Sequence, residues 1–213
     1  MTDSAHFDSD CCSCPRLAGF LAEVRVEYPT YHARPVEPFG DPAPRLLIVG
    51  LAPGMHGANA TGRPFTGDHA GILLYETLHR FGYSNQPVAT ARDDGLVLKG
   101  CRITNAVKCL PPQNKPVGSE VNECNRYLYA ELTDLDDGAV ILALGSVAHR
   151  AAVRALGLKM KEYPFGHCRK YPLDRQRWLI DSYHCSRYNT QTRRLTEKMF
   201  HDVFREIEKL LAA

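Results

Sequence analysis

Two groups of residues in this chain could do chemistry by their type and spacing. The first is the stretch GLAPGMHGANATGRPFTGD, residues 50–68, which holds five glycines and no lysine or acid before its final Asp68. Glycines at a strand-to-helix turn bring backbone N–H groups close to a ligand, commonly a phosphate. The triphosphate-binding version ends in Gly-Lys-Ser/Thr, and no such triplet exists here, so that reading fails. The second group is Cys11 and Cys14, a C-x2-C pair directly before Pro15, together with Cys109 and, after fourteen intervening residues, Cys124. Four thiolates from two separated segments suit a [4Fe–4S] cluster or a structural zinc, and the wide second spacing favours iron–sulfur over a zinc knuckle or ribbon. Cys12, Cys101, Cys168 and Cys185 have no such arrangement and read as small apolar residues.

These residues need a scaffold, and the hydrophobic pattern supplies one. RLLIVG (45–50), CRITNAV (101–107), GAVILALG (138–145) and RWLIDSYH (177–184) read as strands. Between and after them, DHAGILLYETLHRFGY (68–83), SEVNECNRYLYAEL (119–132), SVAHRAAVRAL (146–156) and LTEKMFHDVFREIEKLL (195–211) read as helices. In the last of these Leu195, Met199, Val203, Phe204, Ile207 and Leu211 share one face. A helix over PRLAGFLAEVRVEY (15–28) and an extended Pro-rich connector (33–44) precede them. Strands alternating with helices predict an α/β fold whose parallel sheet is covered on both sides. Ligands of such sheets sit at the carboxyl ends of the strands, which gathers four loops, 50–68, 108–116, 145–146 and 184–190.

With 213 residues, 44% of them hydrophobic, the chain is long enough for one substantial core, and 1–213 reads as one domain with residues 1–10 as a flexible polar tail. The longest apolar runs, such as AVILAL at 139–144, are too short to span a bilayer, and the polar N-terminus lacks the pattern of an export signal. A cytoplasmic protein is expected, with its eight cysteines as thiols or metal ligands. Residues 151–213 carry 13 Lys and Arg against 7 Asp and Glu, a balance of +6, which leaves the first 150 residues at −4. That asymmetry suggests a polyanionic partner, although an ordinary solvated helix surface gives the same balance.

Taken together, CCSCPRL, the 50–68 loop, KCLPPQNKP, Cys124, ALGS and SYHCSRYNTQTRRLT resemble the iron–sulfur uracil-DNA glycosylases of family 5, in order from about Cys11 to Phe204. The resemblance implies a three-layer α/β/α sandwich around a four-stranded parallel sheet. It also implies a structural [4Fe–4S] cluster on Cys11, Cys14, Cys109 and Cys124, and double-stranded DNA with uracil or other damaged bases as the partner of a monomer.

A glycosylase extrudes the nucleotide, holds its base in a pocket and stabilises charge as the N-glycosidic bond breaks. On the resemblance, Gly50, Ala52, Gly54 and His56 form the pocket wall, Phe65 stacks on the base, and His184 donates to the developing oxyanion at uracil O2. Ala52 and Leu51 stand where other families of these enzymes carry a water-positioning acid, and Asp68 is the substitute. Asp would also cap the helix that starts just beyond it. Asn114 matches a second polar position of the family. Two positions depart from family 5: Cys185 stands where Pro usually follows the His, and Asn105 stands where the related family 4 has the Asn that reads uracil. An amide there accepts from N3–H and donates to O4, a pattern that cytosine reverses. Ser146 opens a helix suited to phosphate, Ser186 follows the His into the groove, Arg187 or Tyr188 is the wedge, and Arg193 or Arg194 contacts phosphates.

The expected activity is monofunctional hydrolysis of uracil from double-stranded DNA, with no lysine placed for Schiff-base chemistry. The alternatives are a glycosylase for hypoxanthine or another lesion, and a non-catalytic four-cysteine metal protein that binds damaged DNA.

Overall fold

The computed structural model describes residues 7–212. Four parallel strands form the centre of the sheet: β2 (Leu46–Gly50), β3 (Cys101–Asn105), β4 (Val140–Leu144) and β6 (Trp178–Ser182). The expected sheet is extended by one short antiparallel strand at each edge, β1 (Phe39–Gly40) beside β3 and β5 (Lys170–Pro172) beside β6. The order is β1-β3-β2-β4-β6-β5, six strands where the resemblance implies four. Neither edge strand has a periodicity to read: one is two residues long and the other three.

Every residue of β2 and β4 is buried, so both read as unbroken apolar runs. Alternate side chains serve two faces. Leu46, Ile48, Leu142 and Ile180 meet α3 (His69–Arg80) and α7 (Glu197–Ala212) through Leu74, Leu78, Phe200, Val203, Phe204 and Ile207. Leu47, Val49, Ile141 and Leu179 meet α4 (Gly118–Thr133) and α5 (Ser146–Ala155) through Leu128, Leu132, Ala148, Ala151 and Ala152. The result is the expected α/β/α sandwich. The small alanines let α5 lie close to the sheet, and truncating a facing residue such as Ile48 to Ala would cost about 2–5 kcal/mol.

The helix α1 (Pro15–Glu27) packs outside this sandwich, with Leu17, Leu21 and Val24 against Val107, Leu110 and Tyr127. Two short helices, α2 (Ala58–Thr61) and α6 (Arg187–Gln191), lie inside loops that the sequence pattern leaves unassigned. Residues 1–6 of the expected tail lie outside the described residues. Of the remainder, Phe7 meets the Tyr127 ring edge-on at 6.1 Å and Asp10 pairs with Arg34 at 3.3 Å. Among the described residues no helix is long and apolar enough to cross a membrane.

From β2 the chain passes to β3 on one side and then to β4 on the other. The strand order therefore reverses between β2 and β4, and the crevice at their carboxyl ends is where such sheets bind ligands.

Candidate active site

A cavity of about 530 Å³ opens at that reversal point. Its walls include Ala52, Gly54, Phe65 and Asp68 from the loop after β2, Asn105 and Asn114 from β3 and its loop, Gly145 and Ser146 from the β4–α5 turn, and His184, Ser186 and Arg187 from the segment after β6.

The 50–68 loop is built around a carboxylate. Asp68 occupies the N-cap position of α3, but its side chain makes no bond to that helix. Instead Oδ2 accepts from the N–H of Ala58, the first residue of α2, at 3.1 Å, and the Gly54 N–H donates to the same group. A Cβ at Gly54 would stand 2.5 Å from Asp68 Oδ1, and one at Gly57 would overlap the carboxylate. The glycines thus make room for a side chain of the protein itself. Burial raises the Asp68 pKa, and the two N–H bonds oppose that rise without cancelling it.

Gly50 serves the next contact. It pairs in register with Asn105, and a Cβ there would overlap Asn105 Oδ1 and come within 2.7 Å of the Phe65 ring. Phe65 adopts a left-handed backbone conformation, φ 57°, and is nearly buried. Its ring faces that of His184 at a centroid distance of 5.9 Å and 25° between planes. Asn105 is 2% exposed, and its Oδ1 has no hydrogen-bond partner among the described residues. His184 Nδ1 is likewise buried and unpartnered, and burial lowers the ring's pKa to about 4, so the imidazole is neutral at physiological pH. Buried polar atoms without partners are costly, and two on residues that line one cavity mark a place prepared for a ligand's donors and acceptors.

Beyond His184 the chain is held lightly. Asn189 donates to the His184 carbonyl at 2.8 Å, and Ser186 caps α6 by accepting from the Asn189 N–H at 3.4 Å. Arg187 and Tyr188 are exposed, Tyr188 to 69%. Arg187, Arg193 and Arg194 make no ion pair among the described residues, whereas Lys170, Arg175, Arg177, Lys198, Arg205 and Lys209 all do. About half of the cations of the C-terminal third are therefore paired locally; of the others Arg187 and Arg194 line the cavity, whereas Arg154, Lys161 and Arg169 do not. Arg194 lines the cavity over the Tyr183 ring, 4.7 Å from its centroid; Arg193 does not line it. The departing residue Cys185 is fully buried in the core beneath this segment.

Two expected wall residues are not in the wall; Gly50 packs against Asn105 and Phe65, which are. His56 does not line the cavity; its Nδ1 meets the Tyr31 hydroxyl at 2.9 Å, and its ring stands edge-on to Tyr28 and Tyr31. The stacked tyrosines draw the imidazole outward toward the end of α1.

Cys11, Cys14, Cys109 and Cys124 line a second, much smaller cavity between α1, α4 and the end of β3. The Lys108 N–H donates to Cys124 Sγ at 3.2 Å, and Arg126 approaches Cys11 Sγ at 3.5 Å. Burial raises the Cys14 pKa to about 11 and pushes Cys109 and Cys124 up, with the neighbouring cysteines adding to the rise. The described residues contain no group of three or more His, Cys, Asp or Glu placed to hold a metal ion. Of the other cysteines Cys101 is fully buried like Cys185, Cys168 is half-buried and Cys12 is exposed.

Residues 37–208 match the model of the uracil DNA glycosylase superfamily. The chain belongs to that superfamily. Within it, a type-5 uracil-DNA glycosylase of Thermus thermophilus is 46% identical over 205 residues, covering 94% of this chain and 93% of the relative. One of Mycobacterium tuberculosis is 44% identical over 211 residues, covering 95% and 78%. Similarity to a type-4 uracil-DNA glycosylase of Pyrobaculum aerophilum, 36% over 118 residues, is confined to 55% of this chain and 52% of that one. For this superfamily member, sequence motifs pointed to most of the cavity wall but missed His69, Phe165 and Tyr183, which also line it. The one visible signal was Asp181, the only charged residue of a buried strand.

Proposed function

We propose that this protein is a monofunctional DNA glycosylase that hydrolyses the N-glycosidic bond of uracil, and of other deaminated or oxidised bases, in double-stranded DNA. The observation that carries the proposal is one cavity containing a half-buried carboxylate, a neutral imidazole and an amide, with Asn105 Oδ1 and His184 Nδ1 unpartnered. The names and near full-length similarity of the type-5 relatives support the same reading.

An extrahelical uracil would lie against Phe65, with Asn105 reading its N3–H and O4 edge. As the bond breaks, the sugar becomes cationic and the base anionic. A neutral His184 donates an N–H to the O2 oxyanion without first needing to lose a proton, and Asp68 opposes the sugar cation and orients water. Asn114 contributes a second polar group at the cavity wall. Among the described residues no lysine lines the cavity, so strand cleavage by Schiff-base chemistry is not expected. Ser146, Ser186, Arg187 and Arg193 contact the DNA backbone and Tyr188 acts as the wedge, a role that fits its exposure.

Cys11, Cys14, Cys109 and Cys124 would hold a structural [4Fe–4S] cluster. The donor chemistry suits a cluster: four thiols line one small cavity, no three of them placed around a single ion, and a backbone N–H and an arginine stand ready to hydrogen-bond to sulfur. The cluster would tie α1 to the loop that carries Asn114. Anaerobically purified protein should be brown and contain iron; a colourless, fully active zinc protein would overturn this part.

The deciding assay is single-turnover excision of uracil from duplex DNA. His184→Ala should slow it by about 100- to 1000-fold while leaving abasic-site binding intact, since the lost donor acts on developing charge. Excision at the wild-type rate by both His184→Ala and Asp68→Ala would place the chemistry elsewhere.

A further inference from the structure

The couple His149–Asp181 takes no part in the chemistry above, yet it lies against one wall of the cavity. Asp181 is the charged residue within β6 and is fully buried; His149, on α5 one turn beyond Ser146, is 1% exposed. Both ring nitrogens are engaged. Nδ1 meets Asp181 Oδ1 at 2.7 Å, and Nε2 meets the carbonyl of Tyr163 at 2.7 Å. A carbonyl can only accept, so Nε2 carries a hydrogen, and Nδ1 and the carboxylate meet across a shared proton. The other oxygen, Oδ2, accepts from the Gly166 N–H at 3.2 Å.

What the couple grips is the segment 163–168, which contains no helix or strand. Further along that segment the Cys168 N–H donates to the Asp181 carbonyl at 2.8 Å, and the Tyr183 N–H donates to His167 Nδ1 at 3.1 Å. Between the anchors at Tyr163 and Gly166 stands Phe165, which lines the cavity. Its ring packs edge-on to His149 at 5.7 Å and tilts against Tyr183 at 6.2 Å. A buried polar couple is a poor source of stability compared with apolar packing. This one is placed to fix a segment that has no helix or strand hydrogen bonds of its own.

We propose that Phe165 is a specificity-determining wall of the base cavity and that His149 and Asp181 are its positioning residues, so that the couple sets the relative rates at which smaller and larger bases are excised. The inference rests on the glycosylase reading and extends it to substrate choice. Truncating the ring enlarges the cavity, and releasing the segment lets the ring withdraw; either change relaxes discrimination against a base with an added ring.

The test uses the full chain in single-turnover excision of uracil and of 3,N4-ethenocytosine, each opposite guanine. Phe165→Ala should raise the ethenocytosine-to-uracil rate ratio by about tenfold, the order expected for a changed apolar pocket wall. Asp181→Ala should move the ratio the same way, and adding it to Phe165→Ala should give no further gain. Asp181→Asn should restore the wild-type ratio, because its amide can donate to His149 Nδ1 and accept from Gly166. If Asp181→Ala does not fold, His149→Gln, which keeps one of the two ring hydrogen bonds, replaces it in the same assay. A general structural role would slow both bases in proportion and leave the ratio unchanged, and that result overturns the inference alone. No uracil excision by the wild-type protein would overturn the glycosylase reading and this inference with it.

Discussion

The two loops that face each other across the cavity are built on opposite plans. In the 50–68 loop the interior is full: Asp68 fills the space left by Gly54 and Gly57, Phe65 and Asn105 close on Gly50, and a Cβ at Gly71 would overlap the Phe65 carbonyl. In the segment beyond His184 a few side-chain bonds through Asn189, Ser186 and Thr190 hold a five-residue helix, and Arg187 and Arg193 are exposed. The difference separates two tasks. Groups that act on a developing charge gain from being fixed before the substrate arrives, whereas groups that follow a deformable DNA backbone gain from being able to adjust.

The sharpest way to break this contrast is to crowd the full loop. Gly57→Ala puts a methyl group onto the Asp68 carboxylate, so it should reduce single-turnover uracil excision by about 100-fold, the scale of a misplaced catalytic group. Its affinity for abasic DNA should change little. Equal losses in excision and binding would mean that the loop is less specialised than its packing suggests.

Asn105 comes next. Asn105→Ala should lower uracil excision by roughly tenfold and affect hypoxanthine much less, since removing an acceptor matters only to the edge it reads. Asn105→Asp should weaken uracil and permit some cytosine excision, because a carboxylate accepts from N4–H but cannot donate to O4. Rates on U:G, hypoxanthine:T and C:G duplexes check this. A proportional loss on uracil and hypoxanthine, with no cytosine activity, would make Asn105 a support for the strand end only.

The pH profile probes the same loop more gently. On the proposed mechanism, excision uses Asp68 as a carboxylate and His184 as a neutral imidazole. The Asp68 pKa lies above the free value of about 3.9 because of burial, and that of His184 is lowered to about 4 for the same reason. Both working forms are lost as pH falls, so the rate should decline on the acid side by at most tenfold per pH unit for each group that titrates. An inflection near the ordinary histidine value of about 6.5 that disappears in His184→Ala would contradict the burial of the ring.

The smallest effects belong to the open segment. Arg187→Ala and Arg193→Ala should each weaken DNA binding a few-fold and lower the salt dependence of log K by about one unit of slope, with single-turnover rates at saturating protein nearly unchanged. A large loss of rate in either would assign an arginine to the chemistry.

How much of this was legible depended on whether a feature is local. The four central strands were read correctly because a strand buried on both faces must be apolar throughout, and α7 because its apolar face recurs at the helical period. The short helix α2 was not, since it is held by Asp68 bonding back to Ala58 and carries no apolar stripe of its own. His56 was placed on the cavity wall by its neighbours in the loop, but Tyr31, twenty-five residues earlier, decides where its ring points. Phe165 was invisible for a related reason. A phenylalanine in YPFGHC has no pattern around it, and its position comes from a histidine on one element and an aspartate on another. Asp68 was found by motif, yet the capping role expected from its place before α3 is absent, because the carboxylate turns into the loop.

The short antiparallel strands at the two sheet margins bear on how the molecule behaves when concentrated. An open parallel sheet ends in rows of unpaired N–H and C=O groups that can recruit a strand from another molecule. Here β1 offers two residues and is flanked by Pro38 and Pro42, and β5 offers three, the last of them Pro172. Proline supplies no donor, and Lys170 beside it adds a charge that a growing stack would have to bury. Neither margin leaves enough free backbone for an intruding strand to register against. The protein should therefore resist fibrillar association even at the high protein concentrations that single-turnover work demands.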